Sequence, residues 1–239
     1  MNQKNLSITK LVVNAIIVIL EIIGFVLIFM KLKLGAFLYY TECSNFLLLI
    51  SSSILIYKAY RELVGRPQPC KLFNLLRYTS CLSVFVTFVV VLTILGPQME
   101  GGYYGAFISG SMKYHHLLCP LLGTFSFILL EKYEYDSTDV IRSLYFTVIY
   151  AIVLISLNLA KIVDGPYSFL KVRSQDIVTS LLYFVGILGG TVILAIVFRI
   201  LNQKYTLLNE KNHKKKWFFF IYRKFLIYNL FFYKYMILF

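Results

Sequence analysis

The sequence predicts an all-α polytopic membrane protein: six transmembrane helices, both termini on the cytoplasmic side, and a basic, aromatic C-terminal tail. Three observations carry this. Of the 239 residues, 59% are hydrophobic and only 15% are charged, where an ordinary soluble domain has about 25% charged residues. Six apolar runs are long enough to cross about 30 Å of hydrocarbon as helices of roughly 20 residues. Lys and Arg gather between alternate runs and in the tail, as the positive-inside rule expects. The net charge of +13 therefore reads as topology. It does not read as nucleic-acid binding, and no nucleic-acid motif accompanies it.

The first span, 7–30, is too long for the apolar core of a signal peptide and is followed by no small-x-small cleavage site, so it is expected to be permanent. The second runs over 36–57. The third, 78–95, is ended by the breaker pair Gly96-Pro97. The fourth is 112–130 and the fifth 140–160. The sixth, 177–201, contains Gly186-x-x-x-Gly190, a spacing that allows close helix packing. With both termini inside, the cytoplasmic segments hold eighteen of the 24 Lys and Arg residues; the outer loops hold Lys31, Lys33, Lys113, Lys161, Lys171 and Arg173. Residues 1–205 thus read as one transmembrane domain and 206–239 as the tail. There, Lys214-Lys215-Lys216 precede Trp217-Phe218-Phe219-Phe220. This is either an interfacial helix on anionic lipid headgroups or a neutral extension.

Four cysteines, Cys43, Cys70, Cys81 and Cys119, show no metal-ligand spacing, and no metal or cofactor is expected. A Cys43–Cys119 disulfide is left open.

Polar groups are costly in lipid, so the faces they occupy matter. Thr41, Ser44, Asn45 and Ser52 share one stripe of the second span. Ser80, Ser83 and Thr87 do so on the third, and His115, Cys119 and Ser126 on the fourth. Thr147 and Asn158 on the fifth, and Asn14 and Glu21 on the first, complete five seams expected to face one another. The second and fourth spans start on the same side. That puts Thr41 about 7 Å into the membrane and His115-His116 at about 5 Å, with Asn158 near the same level.

Each candidate has two readings. Thr41 is a nucleophile beside a histidine base, or a threonine bonded to its own helix. His115 or His116 is that base, or an interfacial histidine. Ser44 and Asn45 are donors to an oxyanion or interhelical hydrogen-bond groups. Cys119 is a rival nucleophile or a small buried side chain. Glu42, next to Thr41, orients the histidine or meets water. Glu21, near mid-bilayer, is a candidate pocket group because an ionisable side chain there is rare. The loop Asp164-Gly165-Pro166-Tyr167-Ser168-Phe169-Leu170 has turn chemistry followed by aromatics, which form a cover over the pocket or part of an aromatic belt.

Three blocks carry a family resemblance. They are Phe37-Leu38-Tyr39-Tyr40-Thr41-Glu42-Cys43-Ser44-Asn45, His115-His116-Leu117-Leu118-Cys119-Pro120 closing on Leu130-Glu131, and Gly165-Pro166-Tyr167-Ser168-Phe169-Leu170. In order and position over roughly residues 8–200, the chain resembles the androgen-induced and androgen-dependent TFPI-regulating membrane proteins and their bacterial six-span relatives. Ser168 stands where the family often has proline. The resemblance implies a hydrolase of fatty acid esters with Thr41 as nucleophile and His115 as base, His116 fitting a bacterial-style variant. It also implies a bacterial plasma-membrane location. The expectation is an integral-membrane threonine hydrolase acting on a membrane lipid or lipid-derived ester. The alternative is a non-catalytic protein that binds or carries a lipid or small amphiphile.

Overall fold

The structure, a computed structural model, describes residues 3–67 and 70–211, with side chains to 205. The expected interfacial tail lies outside them. Among the described residues every regular element is a helix: α1 (Gln3–Leu32), α2 (Tyr40–Leu63), α3 (Lys71–Val90), α4 (Gly102–Phe107), α5 (Cys119–Leu130), α6 (Ser137–Ser143), α7 (Tyr145–Leu159) and α8 (Ile177–Lys211), with shorter turns between them. Five helical segments are long and apolar enough to cross a membrane: Gln3–Leu38, Tyr40–Leu63, Lys71–Gln98, Ser137–Leu159 and Ile177–Tyr205. The expected fourth span is not among these. It is divided into a wide π turn, Lys113–Leu118, and the 12-residue α5.

The breaks sit where the local chemistry demands. The third helix continues past Val90 through a π turn, Val91–Leu95, and closes in a tight turn at Gly96–Gln98, where Pro97 removes a donor. After α7, Gly165 takes φ +83°, and a Cβ there would press on the Leu170 backbone at 3.1 Å. Glycine thus lets the loop fold back and bring Tyr167 inward. α6 opens with a capping box: Asp139 N–H donates to Asp136, and Asp136 N–H donates to Asp139.

α1, α2, α3 and α5 form the centre; α6, α7 and α8 pack on α3, and α8 also packs on α5. The faces turned outward are apolar, for example Ile19, Ile22 and Val26 of α1, Ile149 and Ile152 of α7, and Val185 and Ile193 of α8. The polar seams turn inward as expected. Asn14, Glu21, Ser44, Asn45, Ser52, Ser80, Ser83, Thr87, His115, Ser126, Thr147 and Asn158 are all buried. This is the inversion of a soluble fold that lipid requires. The Gly186–Gly190 pair does not follow the expectation. Among the described residues a Cβ at either would meet nothing within 4 Å, so these glycines leave space there and seat no described helix.

One buried hub ties the centre together. Arg77 Nε donates to Glu131 Oε1 at 2.9 Å, and its other nitrogens donate to the Ser51 and Ser52 hydroxyls and to Asn14 Oδ1. Ser126 also donates to Glu131, and Asn202 of α8 donates to the Phe127 and Glu131 backbone carbonyls. Removing the Glu131 carboxylate leaves a guanidinium buried without its countercharge, a loss worth about 3–5 kcal/mol. Glu131→Ala is therefore expected to lower the unfolding temperature in detergent strongly. An Arg77→Met/Glu131→Leu pair, which leaves no orphan charge, is expected to lower it much less.

The exposed cap at Asp136 makes a smaller, pH-dependent contribution. Thr138 and the Asp139 N–H donate to its carboxylate and Lys71 lies 3.2 Å away, so it titrates well below the usual carboxylate range. The folded state favours the ionised form. The contribution is full above the unfolded value of about 3.9 and fades as the pH falls through the folded value. Asp136→Asn is expected to lower the unfolding temperature at neutral pH. Its difference from the parent should shrink as the pH is taken below about 4.

Candidate active site

The start of α2, the π turn and the loop after α7 meet at the end of the bundle opposite the Arg77 hub. Thr41 lies in the first turn of α2, where Tyr39 is still extended and the helix begins at Tyr40. Its Oγ1 is 3.5 Å from His116 Nε2 and 3.5 Å from the Tyr167 hydroxyl, and its backbone N–H donates to that hydroxyl at 3.4 Å. All three side chains are buried.

The histidine geometry depends on the π turn. Neighbouring residues of an α-helix face about 100° apart, so an inward His115 would ordinarily turn His116 aside. The wide turn at Lys113–Leu118 leaves both buried, at 0% and 5% exposure. Such turns recur at functional sites because they re-aim side chains. His116 Nδ1 lies 2.7 Å from the Ala106 carbonyl oxygen at the end of α4. A carbonyl only accepts, so the ring proton sits on Nδ1 and the Nε2 lone pair faces Thr41.

His115 points the other way. Its Nδ1 is 2.7 Å from Glu42 Oε2 and its Nε2 is 3.3 Å from Glu21 Oε2, close pairings that lie off the line of a well-formed hydrogen bond. The Phe25 ring packs on it with centroids 4.7 Å apart. Glu21 also meets the Cys119 side chain. The two histidines thus occupy different settings. His115 is wedged between carboxylates of α1 and α2, and His116 faces the hydroxyl.

The remaining expected site residues fall into place around this. Both amide protons of Asn45 are committed, to the Thr41 and His115 carbonyls, and Ser44 donates to the Thr41 carbonyl. These two hold the backbone beneath Thr41, and neither aims a free proton at its hydroxyl. Asn158 donates to the Val163 carbonyl and closes the end of α7. The four cysteines are free thiols, with Cys43 directed at the Phe37 carbonyl.

Tyr167 is the donor that the sequence did not single out beyond a place in an aromatic cover. Burial holds its phenol proton well above the ordinary tyrosine range, so it remains a donor. The hydrogen-bond directions are consistent: Thr41 N–H to the Tyr167 oxygen, Tyr167 O–H to Thr41 Oγ1, and Thr41 O–H to His116 Nε2. Ala106 was equally unmarked, because a backbone carbonyl leaves no signature in a sequence.

Thr41 also forms one end of an apolar cleft with about 780 Å³ of space, part of it open to the outside, between α3, α7, α8 and the 167–172 loop. Among the described residues no cluster of side chains is arranged to hold a metal ion. Compared with known families, curated proteins and solved structures, the chain finds no match.

The packing of Gly24 supplies a test of the His115 setting. A Cβ on Gly24 would collide with the His115 ring. Gly24→Ala is expected to cost roughly 1–3 kcal/mol of stability from overpacking, read as a lower unfolding temperature. Gly186→Ala, which adds its methyl to open space, should be neutral or mildly stabilising, since alanine is the better helix former.

Proposed function

We propose that this chain is an integral-membrane hydrolase of fatty acyl esters that uses Thr41 as nucleophile and His116 as general base. The observation that carries the reading is the Thr41 hydroxyl lying between the His116 Nε2 lone pair and the Tyr167 hydroxyl, at the end of an apolar cleft. A hydroxyl beside an oriented imidazole is the arrangement by which weak oxygen nucleophiles are activated. The 3.5 Å separations are loose, as catalytic hydrogen bonds commonly are before substrate binds.

Thr41 Oγ1 attacks the acyl carbonyl carbon while His116 Nε2 takes its proton. The Ala106 carbonyl keeps Nδ1 protonated and steadies the imidazolium. Tyr167 O–H donates to the oxygen that becomes negative. Collapse breaks the bond to the alcohol, which leaves with the proton from His116. Water, deprotonated by the same nitrogen, then releases the acid from Thr41. The scheme needs no metal and no cofactor. The resemblance to the androgen-induced family points to the same threonine, and geometry favours His116 over His115 as the base.

The proposed topology is six crossings with both termini inside. The fourth crossing is the short helical stretch 113–130, about 27 Å long at the ideal helical rise. In support, Lys10, Lys58, Lys71 and Arg77 all lie at the end of the bundle away from Thr41, joined to Glu62, Asn74, Asp136 and Glu131. The active site would then open on the outer leaflet of a bacterial plasma membrane.

The test uses purified full-length protein, a long-chain nitrophenyl ester, and a covalent hydrolase probe. Thr41→Ala is expected to lose turnover and labelling. His116→Ala should lose roughly 10²–10⁴-fold in kcat, and Tyr167→Phe roughly 10²–10³-fold. His115→Gln should keep the larger part of the activity. Wild-type turnover in both Thr41→Ala and His116→Ala would refute the assignment.

A further inference from the structure

We propose that the cleft ending at Thr41 is the seat of one acyl chain of an uncharged lipid, which reaches Thr41 sideways from the bilayer through the gap between α7 and α8. The seat itself stands on the cavity; only the fate of the chain's head rests on the hydrolase reading.

The walls decide the ligand class. Val86 and Val90 of α3, Ala151 and Ile155 of α7, and Tyr183 and Ile187 of α8 line the cleft, and among the described residues its lining contains no Lys, Arg, His, Asp or Glu. Most of its hydroxyl groups are already committed. Tyr40 and Thr147 bond each other at 2.7 Å, Tyr150 donates to the Leu38 carbonyl, and Ser180 donates to the Asp176 carbonyl. Thr87 donates to the Ser83 carbonyl and meets Ser44. Apart from Tyr183, the hydroxyls that remain are those of Thr41 and Tyr167, 3.5 Å apart, and this pair makes the polar end. A cleft that is apolar along its length and polar at one tip matches a hydrocarbon chain with one uncharged carbonyl at its head. A carboxylate or phosphate placed there would find no cation among the described lining residues, and burying it unpaired is costly.

The way in is lateral. α7 and α8 both pack on α3 and on the short turn Ser168–Leu170, so the loop covers the end of the cleft while the gap between the two helices faces sideways. On either side of that gap the helix surfaces are the bilayer type, with Ile152 and Val153 on α7 and Leu181 and Val185 on α8 exposed. A second groove, with about 510 Å³ of space counted together with the open region outside it, shares Val86, Val90, Tyr183 and Ile187 with the cleft and is also lined by Gly186 and Gly190. The glycines that the spacing marks for helix packing thus leave a trough that a chain longer than the cleft can follow.

The test is photolabelling of the full-length protein in phosphatidylcholine nanodiscs, using a monoacylglycerol whose palmitoyl chain carries a diazirine. Cross-links are expected on Ile155, Tyr183 and Ile187. Ala151→Trp, which narrows the cleft from its α7 wall, should lower them at least about tenfold, a change of about 1.4 kcal/mol in binding. Free diazirine-palmitate should label more weakly than the glyceride. Should Ala151→Trp not fold, the Gly186→Leu/Gly190→Leu pair fills the trough from a helix that loses two poor helix formers, and the same drop is expected. Labels spread over the outward faces of α1 and α8 and insensitive to these changes would overturn the seat. Cleft labelling without ester turnover would uphold the seat and sink the hydrolase reading. Turnover without cleft labelling would do the reverse.

Discussion

The pairing of Arg77 with Glu131 is the interaction on which the bundle depends. Arg77 is buried among the helices, so its nitrogens must find their acceptors within the protein. The carboxylate after α5, two serines of α2 and the Asn14 oxygen of α1 supply them. Asn202 of α8 then caps the carbonyls at the end of α5. A charge that must be satisfied from several helices at once permits one register among them. A buried ion pair is a weak source of net stability, but a mismatch is heavily penalised.

That register is what brings Thr41 and His116 together at the opposite end. Each is on a different element, and neither approaches the other through local sequence. Within the site the two adjacent histidines divide their roles by environment. His115 is wedged between Glu21 and Glu42 against Phe25, which pins the π turn to α1 and α2. His116, presented by that turn and oriented by the Ala106 carbonyl, offers an unshared nitrogen to the Thr41 hydroxyl. A buried ionisable cluster thus helps to hold the neighbouring imidazole in place.

Much of this was legible in the residues. Helical periodicity placed Asn14, Glu21, Thr41, Asn45, Ser83, Thr87, His115 and Ser126 on seams, and lipid leaves such seams only an inward direction, so their burial followed. The break at Gly96-Pro97 followed from the missing donor of Pro97. The turn at Asp164-Gly165-Pro166 followed from a position where only glycine fits. Other features were not legible. A π turn has the composition of an α-helix, so the fourth apolar run read as a regular span, and nothing in His115-His116 said that both would point inward. The Gly186–Gly190 spacing has one pattern and two uses, packing or room, and only the neighbours decide between them. Asn45 had two readings, oxyanion donor or interhelical hydrogen-bond group, and only the packing puts its two protons on the Thr41 and His115 carbonyls.

The sequence by itself determined that this is a helical membrane protein, which residues face its interior, and that a threonine and a histidine pair lie at similar depth. Those conclusions follow from the cost of exposing polar groups to hydrocarbon, a property of each residue and its spacing. Only the tertiary structure decided which histidine meets Thr41, that Tyr167 and the Ala106 carbonyl complete the group, and that an apolar cleft leads to it. Those features depend on contacts between residues far apart in the chain. They come about where Arg77 sets the register of the helices and the π turn shifts the phase of one of them, and no local pattern records either displacement.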